Sequence, residues 1–189
     1  MKLANALLHF PNRPNLEQLT PCLKRQFLKN VDLTKTAFEV KISDFGLSTV
    51  FDDTPSQLTM VGTPLYQSPQ ILMRQWYNET VDTWALGCIL FELVNGQTPF
   101  YGNTVDELLV RIKDGWYNVV GRGEPVYIET CMFLLESLQL HENNRMDIDG
   151  LLSIPLISEE YAGYGLHEID RNILQSAYGF KQTQQSEAD

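Results

Sequence analysis

The chain has 189 residues, 43% of them hydrophobic and 11% aromatic, and carries a formal net charge of −10. A chain of this size buries about 70% of its unfolded surface, and its composition is that of a globular protein and not of a disordered one. The acidic balance argues against a broad nucleic-acid or anionic-membrane surface.

Leu3, Ala6, Leu7 and Phe10 recur at helical spacing, which predicts a short amphipathic helix over 1–10. The same stretch has one Lys, a short apolar core and no small-residue cleavage site, so no secretory signal is expected. Residues 12–22 are polar, punctuated by Pro14 and Pro21, and read as loop. Lys24, Arg25 and Lys29 follow as a small basic cluster, most simply a solvated face. Residues 38–42 alternate apolar and polar and predict a half-buried strand, running straight into Ser43-Asp44-Phe45-Gly46. Residues 47–67 hold no period over about twenty residues, a length that in a compact domain tends to be functional or disordered. A short helix over 68–73 opens with Pro69 in its first turn.

Residues 81–94 are apolar on both faces, with Val81, Trp84, Ala85 and Cys88 on one side and Leu86, Ile89, Leu90 and Leu93 on the other. Such a helix lies either in a core or in a membrane. This run is shorter than the roughly 20 residues of a span and holds Asp82 and Glu92, so it predicts a buried central helix. Asn78 and Thr80 can cap its start, and Asn95-Gly96 supplies a left-handed stop. Thr104 to Glu107 forms a capping box ahead of a helix ended by Gly115. Gly121 to Pro125 reads as loop, 128–140 as a helix, and 146–152 as a shorter one. Leu166, Ile169, Ile173 and Ala177 predict a tail helix within 158–180, followed by a polar, disordered 181–189. Cys22, Cys88 and Cys131 have no CxxC spacing and read as reduced thiols of a cytoplasmic protein.

Three motifs fall in order. Asp44-Phe45-Gly46 follows a strand, Gly62-Thr63-Pro64-Leu65-Tyr66-Gln67-Ser68-Pro69-Gln70 closes the long loop, and Asp82-Thr83-Trp84-Ala85-Leu86-Gly87 opens the central helix. With Asn144-Arg145-Met146, they resemble the C-terminal lobe of eukaryotic serine/threonine protein kinases. The GTPLYQSP stretch is most similar to the Unc-51-like and NIMA-related groups. The resemblance implies a mainly α fold with a short β element before Asp44. It divides the chain into an atypical segment 1–30, a partial kinase domain 31–157, a tail helix 158–180 and a disordered end 181–189.

Kinases transfer phosphate by positioning and charge neutralisation, using ATP and magnesium held by an aspartate and a catalytic-loop asparagine. By resemblance Asp44 is the magnesium ligand, with Asn30 as the second nucleotide-site residue, Phe45 packed behind and Gly46 a pivot. Thr59 matches the activation-loop threonine and Thr63 the wall beside it. Asp82 matches the residue that caps the catalytic loop, and Trp84 and Gly87 belong to the supporting helix. Gln70 stands where the family places a glutamate ion-paired to the arginine matched by Arg145.

The departures are equally specific. The family's His-Arg-Asp motif has no counterpart, since no Asp precedes Asp32. One register puts Arg25 at the base position and another puts Cys22 there. No glycine-rich loop or Val-Ala-Ile-Lys-type strand occurs among the 43 residues before Asp44. The expectation is a catalytically inactive, pseudokinase-like module that does not bind ATP or magnesium, with a protein partner or a missing N-lobe on its exposed apolar face. The alternative is a truncated product of a gene for an active kinase.

Overall fold

The computed structural model describes residues 1–13, 18–33, 35–46, 48, 63–119 and 128–157. The expected loop at 121–125, the tail helix, the polar end and Thr59 lie outside them. The described residues are mostly helical with one small sheet, and they fall into two compact units, the first being Leu3–Ser48.

In the first unit, strand β1 (Ala6–His9) pairs antiparallel with β2 (Glu39–Ile42). This corrects the expected helix over 1–10: only Leu3–Asn5 turns, as a 3-10 helix, before the chain extends. A ten-residue helix is marginal alone, and the backbone groups of β1 find partners on β2 instead. Between the strands lies helix α1 (Pro21–Asn30), in a region read as loop up to residue 22. Its start is built by Thr20, whose Oγ1 accepts from Leu23 N at 3.5 Å, and by Pro21 in the first turn. Proline there costs nothing, because the first N–H groups of a helix have no intrahelical acceptor. A Thr-Pro pair was therefore a start signal and not a loop signal. Buried Phe10 holds the unit together, its ring 5.1 Å from Phe27 of α1 and 6.3 Å from Phe38. The register sets Ala6 beside Ile42 and Leu8 beside Val40 on one face. Strand β2 is exposed along its whole length, not half-buried, with Val40 57% and Ile42 52% accessible.

The second unit is organised by helix α3 (Thr80–Asn95). Asn78 Oδ1 accepts from the backbone N of Thr80 at 3.0 Å and from its hydroxyl at 2.6 Å, so Asn78 supplies the cap. Gly96, at φ +80°, ends the helix in the left-handed conformation glycine adopts without strain. Buried residues run round α3, from Thr83 and Trp84 through Ala85, Cys88 and Ile89 to Phe91, and only near its end does Leu93 surface. Trp84 stacks on Phe100 at 5.7 Å, and Tyr117 meets Phe91 and Phe100 edge-on at 5.6 and 5.8 Å. Leu108 and Ile112 of α4 (Val105–Asp114), with Leu134 of α5 (Ile128–Ser137), complete this cluster. Helix α4 has Thr104 Oγ1 accepting from Glu107 N at 3.2 Å, while Glu107 reaches back to Asn103 N at 2.9 Å, one residue beyond the usual capping-box partner. Helix α5 stops at Ser137, three residues short of expectation. The last helix, α6 (Ile148–Ser153), starts two residues later than expected because Asp147 is its cap, accepting from Gly150 N at 2.8 Å.

Helix α3 comes close to the end of α5 at Gly87. A Cβ there would overlap Ser137 Oγ and come within 2.9 Å of Leu138 Cδ2. The Ser137 hydroxyl is already committed to Phe133 O at 2.7 Å, so it cannot turn away freely. Gly87→Ala is expected to destabilise the protein by about 1–3 kcal/mol, despite the roughly 1 kcal/mol that alanine gains in helix propensity. The urea midpoint measures it.

Candidate functional site

Two sets of predicted residues occupy different units. In the first unit, Asp44 follows β2 at a sharp corner. Ser43 donates its backbone N (3.0 Å) and hydroxyl (3.2 Å) to Asn5 O, and Asn5 Nδ2 donates to Asp44 Oδ2 at 3.5 Å. Asp44 has φ +67°, a left-handed conformation that aspartate tolerates better than most residues but that still carries strain. Phe45, expected to pack behind Asp44, is instead 66% exposed. Gly46 has open space around it, with Asp44 Oδ1 3.7 Å from a notional Cβ.

Asn30 is the last residue of α1, and its Nδ2 donates back to Gln26 O at 3.0 Å. Cys22 and Arg25 lie exposed on the same helix, which contains no Asp or Glu. The oxygen donors among these residues thus amount to one carboxylate, contacted at Oδ2 by Asn5, and the side-chain oxygen of Asn30, whose Nδ2 is tied to its own helix. Magnesium requires near-octahedral oxygen coordination, and this set does not make such a site by itself.

The second unit gathers Gln70, Trp84 and Arg145 into a buried polar node. Arg145 is only 5% exposed. Its Nη1 donates to Thr80 O at 3.0 Å, its Nη2 to Gln70 Oε1 and to Gln139 O at 3.0 Å each, and its Nε to Gln139 O at 3.2 Å. The guanidinium lies 5.1 Å over the Trp84 ring. Burial pulls its pKa below the usual guanidinium value, while the charge of Glu142 works in the other direction. Gln70, on the short helix α2 (Pro69–Leu72), also donates Nε2 to Leu140 O at 2.9 Å. An amide at this position therefore does two jobs. A carboxylate would accept more strongly from Arg145 but could not donate to Leu140. The node pins α2, the start of α3 and the turn before α6 to one cation.

Thr63 is exposed, one residue before a 3-10 turn over Pro64–Tyr66. That turn is fastened to α3 by Tyr66, whose hydroxyl donates to Glu92 Oε2 at 2.5 Å. Burial and Glu92 together push the Tyr66 hydroxyl pKa well above its ordinary value, so it stays a donor. Asp82 is exposed in the first turn of α3, where its charge suits the helix dipole.

Sequence reasoning missed Asn5, Tyr66, Thr80 and Gln139 as anchoring residues. Glu92 carried a usable signal, since a lone acid within an apolar helix needs a donor. Thr80 and Gln139 act through backbone carbonyls, which no residue type advertises.

The order of these motifs is matched by the family model described as "Protein kinase domain", over residues 28–157. The chain belongs to the protein kinase family. Serine/threonine-protein kinase nekl-2 of Caenorhabditis elegans is 32% identical over 129 residues, covering 68% of this chain and 36% of that protein. Human Nek2 is 33% identical over 133 residues, covering 70% and 29%. PLK1 of Xenopus laevis is 33% identical over 124 residues, covering 65% and 20%. The kinase domain is therefore homologous to serine/threonine kinases of Nek and polo type. The chain spans little more than a third of nekl-2 and less of the other two. The family as a whole uses ATP and magnesium.

Proposed function

We propose that this chain is a kinase-type scaffold that does not itself transfer phosphate and acts as a protein-binding module of the cytoplasm. The observation that carries the reading is α1. Where the family resemblance asks for a general base, this helix offers Cys22 and Arg25 and no acid. Phosphoryl transfer needs an acceptor for the substrate hydroxyl proton, and a guanidinium there repels that proton. The apolar face of the β1–β2 ribbon, with Leu8, Val40 and Ile42 exposed side by side and Phe45 beyond them, is the surface we assign to a protein partner or to an N-lobe-like covering. A net charge of −10 disfavours nucleic acid and anionic membrane. Among the Unc-51-like and NIMA-related groups we place the chain with the latter, on the strength of the Nek relatives.

The test is thermal unfolding of the full chain with and without millimolar magnesium-ATP. A ligand at 100 times its Kd adds about 2.7 kcal/mol, enough to raise the midpoint by a few degrees. No shift is expected, and a magnesium-dependent rise would contradict the reading.

A second reading is that the chain is part of an active ATP-dependent kinase. It is favoured by the family match over residues 28–157, which leaves Cys22 and Arg25 outside the matched residues. Sequencing the 5′ end of the transcript decides it, since the reading fails if no upstream exon encodes a His-Arg-Asp motif.

A further inference from the structure

Helix α6 buries one side and leaves the other bare. Leu151 is 1% exposed and packs with Phe133 and Ile154. Ile148 is 47% and Leu152 52% exposed, and residues four apart share a helix face. The described chain then turns, with Ile157 N donating to Ile154 O at 2.8 Å, and leaves Ile157 itself 45% exposed. Three large aliphatic side chains thus face outward within ten residues, at the point from which 158–189 continues.

The sequence beyond that point carries a matching stripe. Leu166, Ile169, Ile173 and Ala177 fall at spacings of three, four and four, with Glu168, Asp170, Arg171 and Gln175 between them. That is one apolar face at helical period. The spacer 158–165 has eight residues, two of them glycine, and reaches up to about 28 Å when extended. Helix α6, with six residues, is only about 9 Å long, so the spacer can return the stripe across it. Tethering decides between occupants. A segment on so short a linker is present at an effective concentration on the order of millimolar, far above a second copy at micromolar protein.

We propose that residues 166–177 dock on the exposed side chains of Ile148 and Leu152 on α6 and of Ile157 just after it, and complete the core of their own unit. This goes beyond the functional reading and is independent of whether the chain transfers phosphate.

The test uses the full chain with Cys22→Ala, which removes the exposed thiol, while Cys88 and Cys131 are buried. Leu152→Cys is combined with Ile173→Cys, and separately with Ser186→Cys in the polar end. Under mild oxidation at micromolar protein the Leu152/Ile173 pair is expected to close within one chain, about tenfold faster than the Leu152/Ser186 pair, in line with effective concentration. Equal rates for the two pairs would overturn the proposal, and so would linkage only between chains, which would make a second copy the occupant. Hydrogen exchange of the unsubstituted chain gives a readout that does not depend on the variants folding. Amides of 166–177 are expected to exchange at least about tenfold slower than unprotected ones, with the protection lost in Leu152→Asp. Unprotected rates in the unsubstituted chain would overturn the proposal.

Discussion

Arg145→Ala is expected to cost about 3–5 kcal/mol, a large share of the 5–15 kcal/mol that holds a typical domain together. The loss comes less from charge than from orphaned acceptors. Thr80 O, Gln139 O and Gln70 Oε1 all accept hydrogen bonds from this guanidinium, and each buried acceptor left without a donor costs about 1–3 kcal/mol. These penalties do not add fully, because the turn before α6 can relax toward water. Arg145→Lys keeps the charge but not the fork that reaches three acceptors, so its urea midpoint should fall between alanine and the parent. Gln70→Glu is expected to change stability by less than about 1 kcal/mol. The charge-assisted bond to Arg145 strengthens, while Leu140 O loses its donor. A gain well beyond 1 kcal/mol would mean that the Leu140 bond contributes little.

Trp84→Ala is the second large effect, expected at about 3–5 kcal/mol for removal of a fully buried aromatic. Trp84 is 1% exposed, stacked on Phe100 at 5.7 Å and capped by the Arg145 guanidinium at 5.1 Å. Because the guanidinium lies on the indole face, the two substitutions share a contact. The double variant should lose less than the sum of the singles, with a coupling of about 0.5–3 kcal/mol. Strict additivity in urea titrations would show that the stack contributes nothing.

The central helix was legible from sequence because its apolar residues cover both faces and its stops are chemically explicit in Asn78 and Gly96. The polar node was half legible. Gln70 and Arg145 were paired by resemblance, and the structure puts them 3.0 Å apart. The second bond of Gln70, to Leu140 O, depends on a backbone carbonyl seventy residues away and leaves no trace in residue type. The first unit was the hardest to read. Leu3, Ala6, Leu7 and Phe10 follow a helical period and not the period of two of a strand, and pairing of Ala6–His9 with β2 overrides that local pattern. Thr20-Pro21 has the composition of a loop and yet opens α1. At Asp44 the motif gave the residue but not its surroundings: the Asn5 amide at 3.5 Å comes from the 3-10 turn that leads into strand β1, which the local pattern did not reveal, and Phe45 is exposed.

The claim that this kinase-family chain does not transfer phosphate is tested most directly by incorporation of radiolabelled phosphate from magnesium-ATP into a generic serine/threonine substrate. The full chain and its Asp44→Ala variant are assayed side by side. Equal incorporation by the two, at the level of buffer alone, is the predicted result. Transfer by the unsubstituted chain that disappears in Asp44→Ala would contradict the account, because it would require a proton acceptor that α1 does not carry.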